Sequence, residues 1–184
     1  MVVAMILTSL SIAREKELGT FDQLLVSPLR PIEILLGKLL PALIISIAES
    51  TIILFVAIHL FGVPLNGSVW MLYLSVVVFL FSMSGIGLFV SAISKTQQQA
   101  ILGSFVVLLP SFLLSGFATP IENIPEWLQP VTNFIPLKYY LILIKGIFLK
   151  DMSFEAALPE LLPMLLLGII FLSGTVIFFK KRIQ

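Results

Sequence analysis

An all-α, polytopic transmembrane helical bundle follows from three features of the sequence. Of 184 residues, 59% are hydrophobic and 11% charged, with a mean hydropathy of +1.12, whereas soluble domains carry about a quarter charged residues. The apolar residues gather in runs of about 20, the length a helix rising about 1.5 Å per residue needs to cross roughly 30 Å of hydrocarbon. Lys and Arg cluster on alternate connections between those runs, as they do when short loops are held on the cytoplasmic side.

The chain reads as one membrane domain over residues 1–184. Met1–Ala13 is apolar, yet no basic stretch precedes it and no small-residue cleavage site follows it, so it is not a signal peptide. Thirteen residues of helix reach only about 20 Å, and we expect the end of a span, with the chain starting partway through a membrane helix. Four full spans follow at Leu39–Phe61, Val69–Ile93, Ala100–Ala118 and Leu161–Phe179. They are joined by a charged segment (Arg14–Lys38), a turn (Gly62–Ser68), a polar link (Ser94–Gln99) and a long excursion (Thr119–Glu160). There is no internal repeat of the kind that builds secondary transporters.

Placing Arg14–Lys38 in the cytoplasm puts the Ser94–Gln99 link and the C-terminus there too. That side then holds Arg14, Lys16, Arg30, Lys38, Lys95, Lys180, Lys181 and Arg182, eight of the eleven basic residues, and the other side Lys138, Lys145 and Lys150. This asymmetry fits a multi-pass protein of a cell membrane, the inner membrane of a prokaryote, with a cytoplasmic C-terminus.

Within the charged segment, Thr20 and Gln23 form a capping-box pattern just after Gly19, so a new short helix is expected there. Leu18, Phe21 and Leu25 fall three or four apart and share a face, giving an amphipathic element suited to the membrane surface. Ser27-Pro28 ends it. Pro31 suits the first turn of a further helix, with Glu33 near its positive end and Lys38 at the lipid boundary. Such an element is either a loop resting on the membrane or a docking site through which a soluble partner pushes on the bundle.

The run carried by Glu15, Glu17, Gly19, Thr20, Asp22, Gln23, Leu24, Pro28, Glu33, Ile34, Gly37 and Lys38 resembles the coupling-helix region of type-2 ABC transporter (ABC exporter) permeases, though many relatives have Glu where this chain has Asp22. The resemblance implies that Glu15, Glu17, Gly19, Thr20, Phe21, Asp22, Gln23, Leu24, Leu25 and Pro28 meet an ABC ATP-binding subunit. A second block agrees. Leu114–Phe117, Pro120-Ile121, Ile124-Pro125, Trp127-Leu128 and Pro136-Leu137 with Tyr139-Tyr140 resemble the family's fifth span and its short external helices. Four prolines within Pro120–Pro136 forbid one continuous helix there, and Trp127, Tyr139 and Tyr140 are rings enriched at membrane interfaces. Two short helices dipping into the outer leaflet are expected, with Ser115, Gly116, Phe117, Pro120, Pro125 and Trp127 implied as an external gate; the alternative is an ordinary loop with aromatic anchors. Ser91–Ala100 matches the family's short cytoplasmic link. The first span and external domain usual in such permeases are missing, which fits an N-terminally truncated chain.

Glu49 lies about ten residues into its span, roughly 15 Å deep. A carboxylate there faces a bundle interior or a water-filled path, so it either lines a route or pairs across a dimer, or is a packing residue beside Ser46 or Ser50. Ser82, Ser84, Gly85, Gly87 and Ser91 favour close helix contact over a substrate groove. His59 stands alone at a span end, no cysteine is present, and no metal site is expected. A net charge of +1 without a basic stripe gives no reason to expect nucleic acid as a partner.

No glycine-rich phosphate loop or nucleophile–base pattern occurs. The chain is therefore expected to bind no cofactor and not to be an enzyme, with ATP and Mg used by a partner ATPase subunit. The resulting expectation is a permease subunit of an ATP-driven exporter acting as a homodimer or beside a paralogous permease, its transported substrate unknown. A gradient-driven transporter or channel, or a noncatalytic or truncated scaffold, is the alternative.

Overall fold

The structure, a computed structural model, describes residues 1–21, Gln23 and 30–183, with side chains through residue 179. Among them the chain forms six α-helices: α1 (Val2–Leu18), α2 (Pro31–His59), α3 (Val69–Ile93), α4 (Gln97–Leu114), α5 (Pro136–Lys150) and α6 (Phe154–Ile183). Short 3₁₀ turns, Ile121–Asn123 and Gln129–Phe134, lie between α4 and α5. α2, α3, α4 and α6 are long and apolar enough to cross a membrane, so the expected all-α polytopic bundle stands.

Several boundaries move, each for a local reason. α1 does not stop at Ala13 but carries Arg14–Leu18 to Gly19, whose left-handed φ of 73° ends it. There the Gly19 N–H bonds Lys16 O (3.3 Å) and the Thr20 N–H bonds Glu15 O (3.0 Å), the paired closure that glycine permits at a helix C-terminus. The next long helix starts at Pro31, as expected, and runs without a break into the span expected from Leu39. Pro31 occupies its first turn, and Glu33 reaches back to accept the Arg30 N–H at 2.8 Å, so Pro31–Lys38 belongs to the span. α4 ends four residues earlier than expected, because Gly116 turns left-handed at φ 87°. α6 starts at Phe154 instead of Leu161 and continues through Pro159 and Pro163.

The long excursion holds more order than the sequence implied. The short external helices expected there take the form of two 3₁₀ turns followed by α5, which at 15 residues is longer than expected. Tyr140 is not an interfacial anchor: its ring stacks on Phe79 at 4.1 Å and 7°, ten residues or about 15 Å into α3. From that depth α5 runs beside α3 toward the end at which α3 begins. Its far end meets the α2–α3 turn, where the Asn66 N–H bonds Phe148 O at 3.3 Å.

α3 is the central helix. Its most apolar stretch is 72% buried, against 17–28% for the other three spans. Side-chain bulk explains this position. A Cβ on Gly87 would lie 2.1 Å from Thr8 Oγ1 and 2.8 Å from Met5 O, and one on Gly85 would lie 3.0 Å from Gly168 O. α1 and α6 thus approach α3 from two sides at places where only small residues fit. Farther along, Ser91 Oγ accepts from the Ile12 and Ala13 N–H groups at 3.0 and 2.9 Å. The serine and glycine stripe of α3 accordingly serves helix contact.

In lipid a hydroxyl needs a protein partner. Thr8, Ser75, Ser104, Ser111 and Thr175 each donate to the carbonyl four residues earlier, at 2.7–2.9 Å. The buried hydroxyls of Ser46, Ser82 and Ser84 have no such bond. The remaining surface of α2 is apolar, with Leu36, Leu40, Ile44 and Ile52 exposed along one side, as a lipid-facing helix requires.

Two glycine substitutions test this packing. Gly87→Val forces α1 off α3 and should cost about 1–3 kcal/mol. Gly37→Ala, at a position with nothing within 4 Å, should gain roughly 0.5–1 kcal/mol. Unfolding of the detergent-solubilised protein by increasing SDS reads both, and equal effects would contradict the packing described.

Candidate functional site

The ends of α1, α2, α3, α4 and α6 that carry Lys16, Lys38, Ser94, Gln97 and Phe179 meet at one end of the bundle. Here α1 presents three consecutive charged side chains, and each goes to a different helix. Glu15 pairs with Lys38 of α2 (Nζ–Oε1 2.5 Å), whose ammonium also donates to Ser11 O at 3.3 Å. Lys16 donates to Ala92 O and, at 2.9 Å, to Ser94 O at the C-terminus of α3. The carboxylate of Glu17 accepts the Gln97 N–H at 2.7 Å, at the first residue of α4.

These signs match the helix dipoles. A C-terminus carries partial negative charge and attracts a cation, whereas an N-terminus attracts an anion. Lys16 and Glu17 stand in the order that serves the outgoing α3 and the incoming α4. The turn between them adds its own cap, with Thr96 Oγ1 accepting the Gln99 N–H at 3.2 Å and Gln99 Oε1 accepting the Lys95 N–H at 2.9 Å.

The residues expected to meet a partner divide here. Glu17, Leu18, Gly19, Thr20 and Gln23 are exposed. Phe21 is turned into the bundle, 5% exposed, its ring edge-on to Phe179 at 5.4 Å and under the Lys16 ammonium at 5.6 Å. Leu18 and Phe21 therefore do not share a face, because the break at Gly19 puts them on separate segments. The Thr20 hydroxyl donates back to Glu15 O at 3.4 Å while the Gln23 N–H bonds Thr20 O at 3.2 Å, so the threonine side chain closes the helix that ends there. Asp22, Leu24, Leu25 and Pro28 lie outside the described residues.

At the opposite end, Ser115 is buried and follows α4; its hydroxyl donates to Phe112 O at 3.2 Å and accepts the Phe117 N–H at 3.4 Å. Gly116 then turns the chain, and a Cβ there would lie 3.3 Å from Ile121. Phe117 and Trp127 are 66% and 76% exposed. Pro120 opens the first 3₁₀ turn, and Pro125 O accepts the Leu128 N–H at 2.8 Å. Gln129 fastens this loop by donating to Ile124 O at 3.0 Å. Tyr139 is half-buried and donates to Asn133 O at 2.8 Å.

Below this loop lies an open-sided cavity of about 630 Å³ between α3, α4, α6 and Val131–Pro136, lined by apolar side chains such as Ile86, Phe89, Val107 and Phe171. Glu49 is elsewhere, half-buried on α2. Its neighbour Ser50 donates to Ser46 O at 2.8 Å. His59, at the end of α2, stacks on Phe55 at 4.3 Å.

Fold and site together define an integral membrane domain of several crossing helices, braced by charges at one end and closed by an aromatic, proline-rich loop at the other. The chain belongs to the ABC-2 type transporter family, which matches residues 1–149. It is 41% identical over 180 residues to the Escherichia coli K12 protein named probable multidrug ABC transporter permease YbhR, covering 98% of this chain and 49% of that one. It is 31% identical over 182 residues to the inner membrane transport permease YhhJ of the same organism, with the same coverage. ABC transporter G family member 20 of Dictyostelium discoideum is 31% identical over 150 residues, 82% of this chain and 20% of that one. The chain thus spans about half the length of the bacterial relatives. No solved structure gives a significant match.

Sequence reasoning missed Lys16 as a site residue. The available signal was the Glu15-Lys16-Glu17 triplet one residue short of Gly19, which places three charges around the final turn of a helix. A double-mutant cycle on Glu15→Gln and Lys38→Met tests the first of the three contacts. For a partly buried ion pair we expect a coupling of about 1–2 kcal/mol, read from SDS unfolding, and additivity would show that the pair contributes nothing.

Proposed function

We propose that this chain forms the membrane-spanning part of an ABC exporter permease, which couples ATP hydrolysis in a partner ATP-binding subunit to efflux of a substrate across the inner membrane. The observation that carries this reading is the exposed Glu17–Thr20 corner. It is the continuation of the buried α1, and it sits at the end where five helices converge, so force applied there reaches the whole bundle. Family membership supports it, as do the transport permease names of the bacterial relatives. The basic end is the cytoplasmic face in this reading, which places the C-terminus inside.

Coupling requires a bundle with two arrangements that the partner's nucleotide state biases. Closure of the ATPase would displace the segment after Gly19, and the loop Ser115–Trp127 would form the gate at the other face. A second permease, identical or paralogous, would complete the path. ATP and Mg belong to the partner.

The first test is affinity purification of the tagged permease from membranes: an ABC ATP-binding subunit should accompany it, and a preparation free of any such subunit would refute the proposal. The second is the Gly19→Val change. The left-handed φ of 73° disfavours a β-branched residue by about 1–2 kcal/mol. Membrane insertion should be unchanged while substrate-stimulated ATP turnover falls severalfold. Wild-type turnover in the variant would remove the corner from the coupling route.

A further inference from the structure

The chain after Gly19 is covalently continuous with α2, so a push on it reaches α2 directly. α4 has no covalent link to that corner, but it packs along α1 and leads directly to the Ser115–Phe117 turn at the opposite face. Whether the outer loop responds then depends on how firmly the start of α4 is held to the end of α1. Resting on the coupling reading above, we infer that Lys16, with Glu17, latches the end of α1 to the α3–α4 turn, so that α4 follows the corner, with Lys16 as the positioning residue.

Three observations converge on this assignment. First, the latch holds both sides of one short turn. Lys16 holds the last carbonyls of α3, with Ser91 O also at 3.5 Å, and Glu17 holds the first amide of α4 at 2.7 Å. Lys16 and Glu17 are adjacent, so the turn cannot move away from α1 without breaking charge-assisted bonds. Second, the latch lies next to the moving part. Gly19 follows two residues after Glu17, and the Lys16 ammonium also lies 5.6 Å from the Phe21 ring and 5.8 Å from that of Phe178. One ammonium therefore touches the corner, the turn and α6. Third, the turn is stiff, because the Ser94 hydroxyl donates to Val90 O at 2.8 Å and Thr96 and Gln99 cap the start of α4. A stiff turn passes displacement on to the helix it begins.

Lys16 is not itself among the residues that the resemblance assigns to contact with the ATPase, and Lys16→Arg controls for its contact with Phe21. The chain has no cysteine, so pairs of spin labels can be placed on exposed sites of the intact permease bound to its ATPase in lipid nanodiscs. Leu60→Cys with Leu113→Cys reports the outer ends of α2 and α4, and Leu18→Cys with Ile93→Cys reports the latch. With wild-type Lys16, trapping the ATPase with ATP and vanadate should change the outer distance and leave the latch distance narrow. Lys16→Met should lose most of the outer change and broaden the latch distance, whereas Lys16→Arg, which keeps the cation, should retain both properties. An outer change of wild-type size in Lys16→Met overturns the inference whatever the latch pair does. Loss in Lys16→Arg as well would trace the effect to side-chain packing and overturn it too. If the wild-type complex itself shows no nucleotide-dependent change, the coupling reading fails first and takes the latch with it; an intact wild-type response alongside an unaffected Lys16→Met refutes the latch alone.

Discussion

Helix ends are the weak points of a membrane bundle, because each leaves backbone groups that neither lipid nor the helix itself can satisfy. At its basic end this protein meets the constraint with one run of side chains. Glu15, Lys16 and Glu17 reach α2, α3 and α4 in turn, and the positions of those helices around α1 follow from that arrangement. The triplet works because α1 does not stop where its apolar stretch stops. Five more residues of helix carry the charges out of the lipid-facing stretch, and Gly19 ends the helix immediately after them.

Much of this was legible from residue order. The four spans are long, predominantly apolar runs, each of the length a membrane crossing needs. Pro31 and Glu33 announced a helix start, and the structure uses both. Gly19 announced a stop. What was not legible has a common cause: apolarity marks lipid, not helix. α2 and α6 both begin with turns containing charged residues and proline, Pro31–Lys38 and Phe154–Glu160, so a hydropathy reading places their starts seven or eight residues late. The length of α5 was hidden for the opposite reason. Its prolines and aromatic rings look like loop, but Pro136 stands at the first position, where its missing N–H costs nothing, and Tyr140 is sheltered against Phe79.

The site divided along similar lines. A residue type and spacing can say that Phe21 belongs to the corner, but not which way its ring faces; that is set by Phe179, more than 150 positions away in the chain. For Glu15 and Glu17 the resemblance likewise implied only a contact with another subunit, and their partners within the chain, Lys38 and Gln97, are brought in by folding. Glu49 keeps both of its readings, since Ser50 donates to the Ser46 carbonyl and the Ser46 hydroxyl has no partner, so neither serine bonds its carboxylate. The small residues of α3 were the most legible feature, because in lipid close approach needs the absence of bulk whatever the partner.

Those small residues have a mechanical meaning. On the side facing α1, the central helix is fastened by Ser91 and Lys16. On the side facing α6, Gly85 stands against the backbone of Gly168 and the side chain of Leu172, and Gly168 in turn lies against the Phe81 ring. α1 is thus held to α3 by hydrogen bonds, and α6 by close packing of side chains around its glycines.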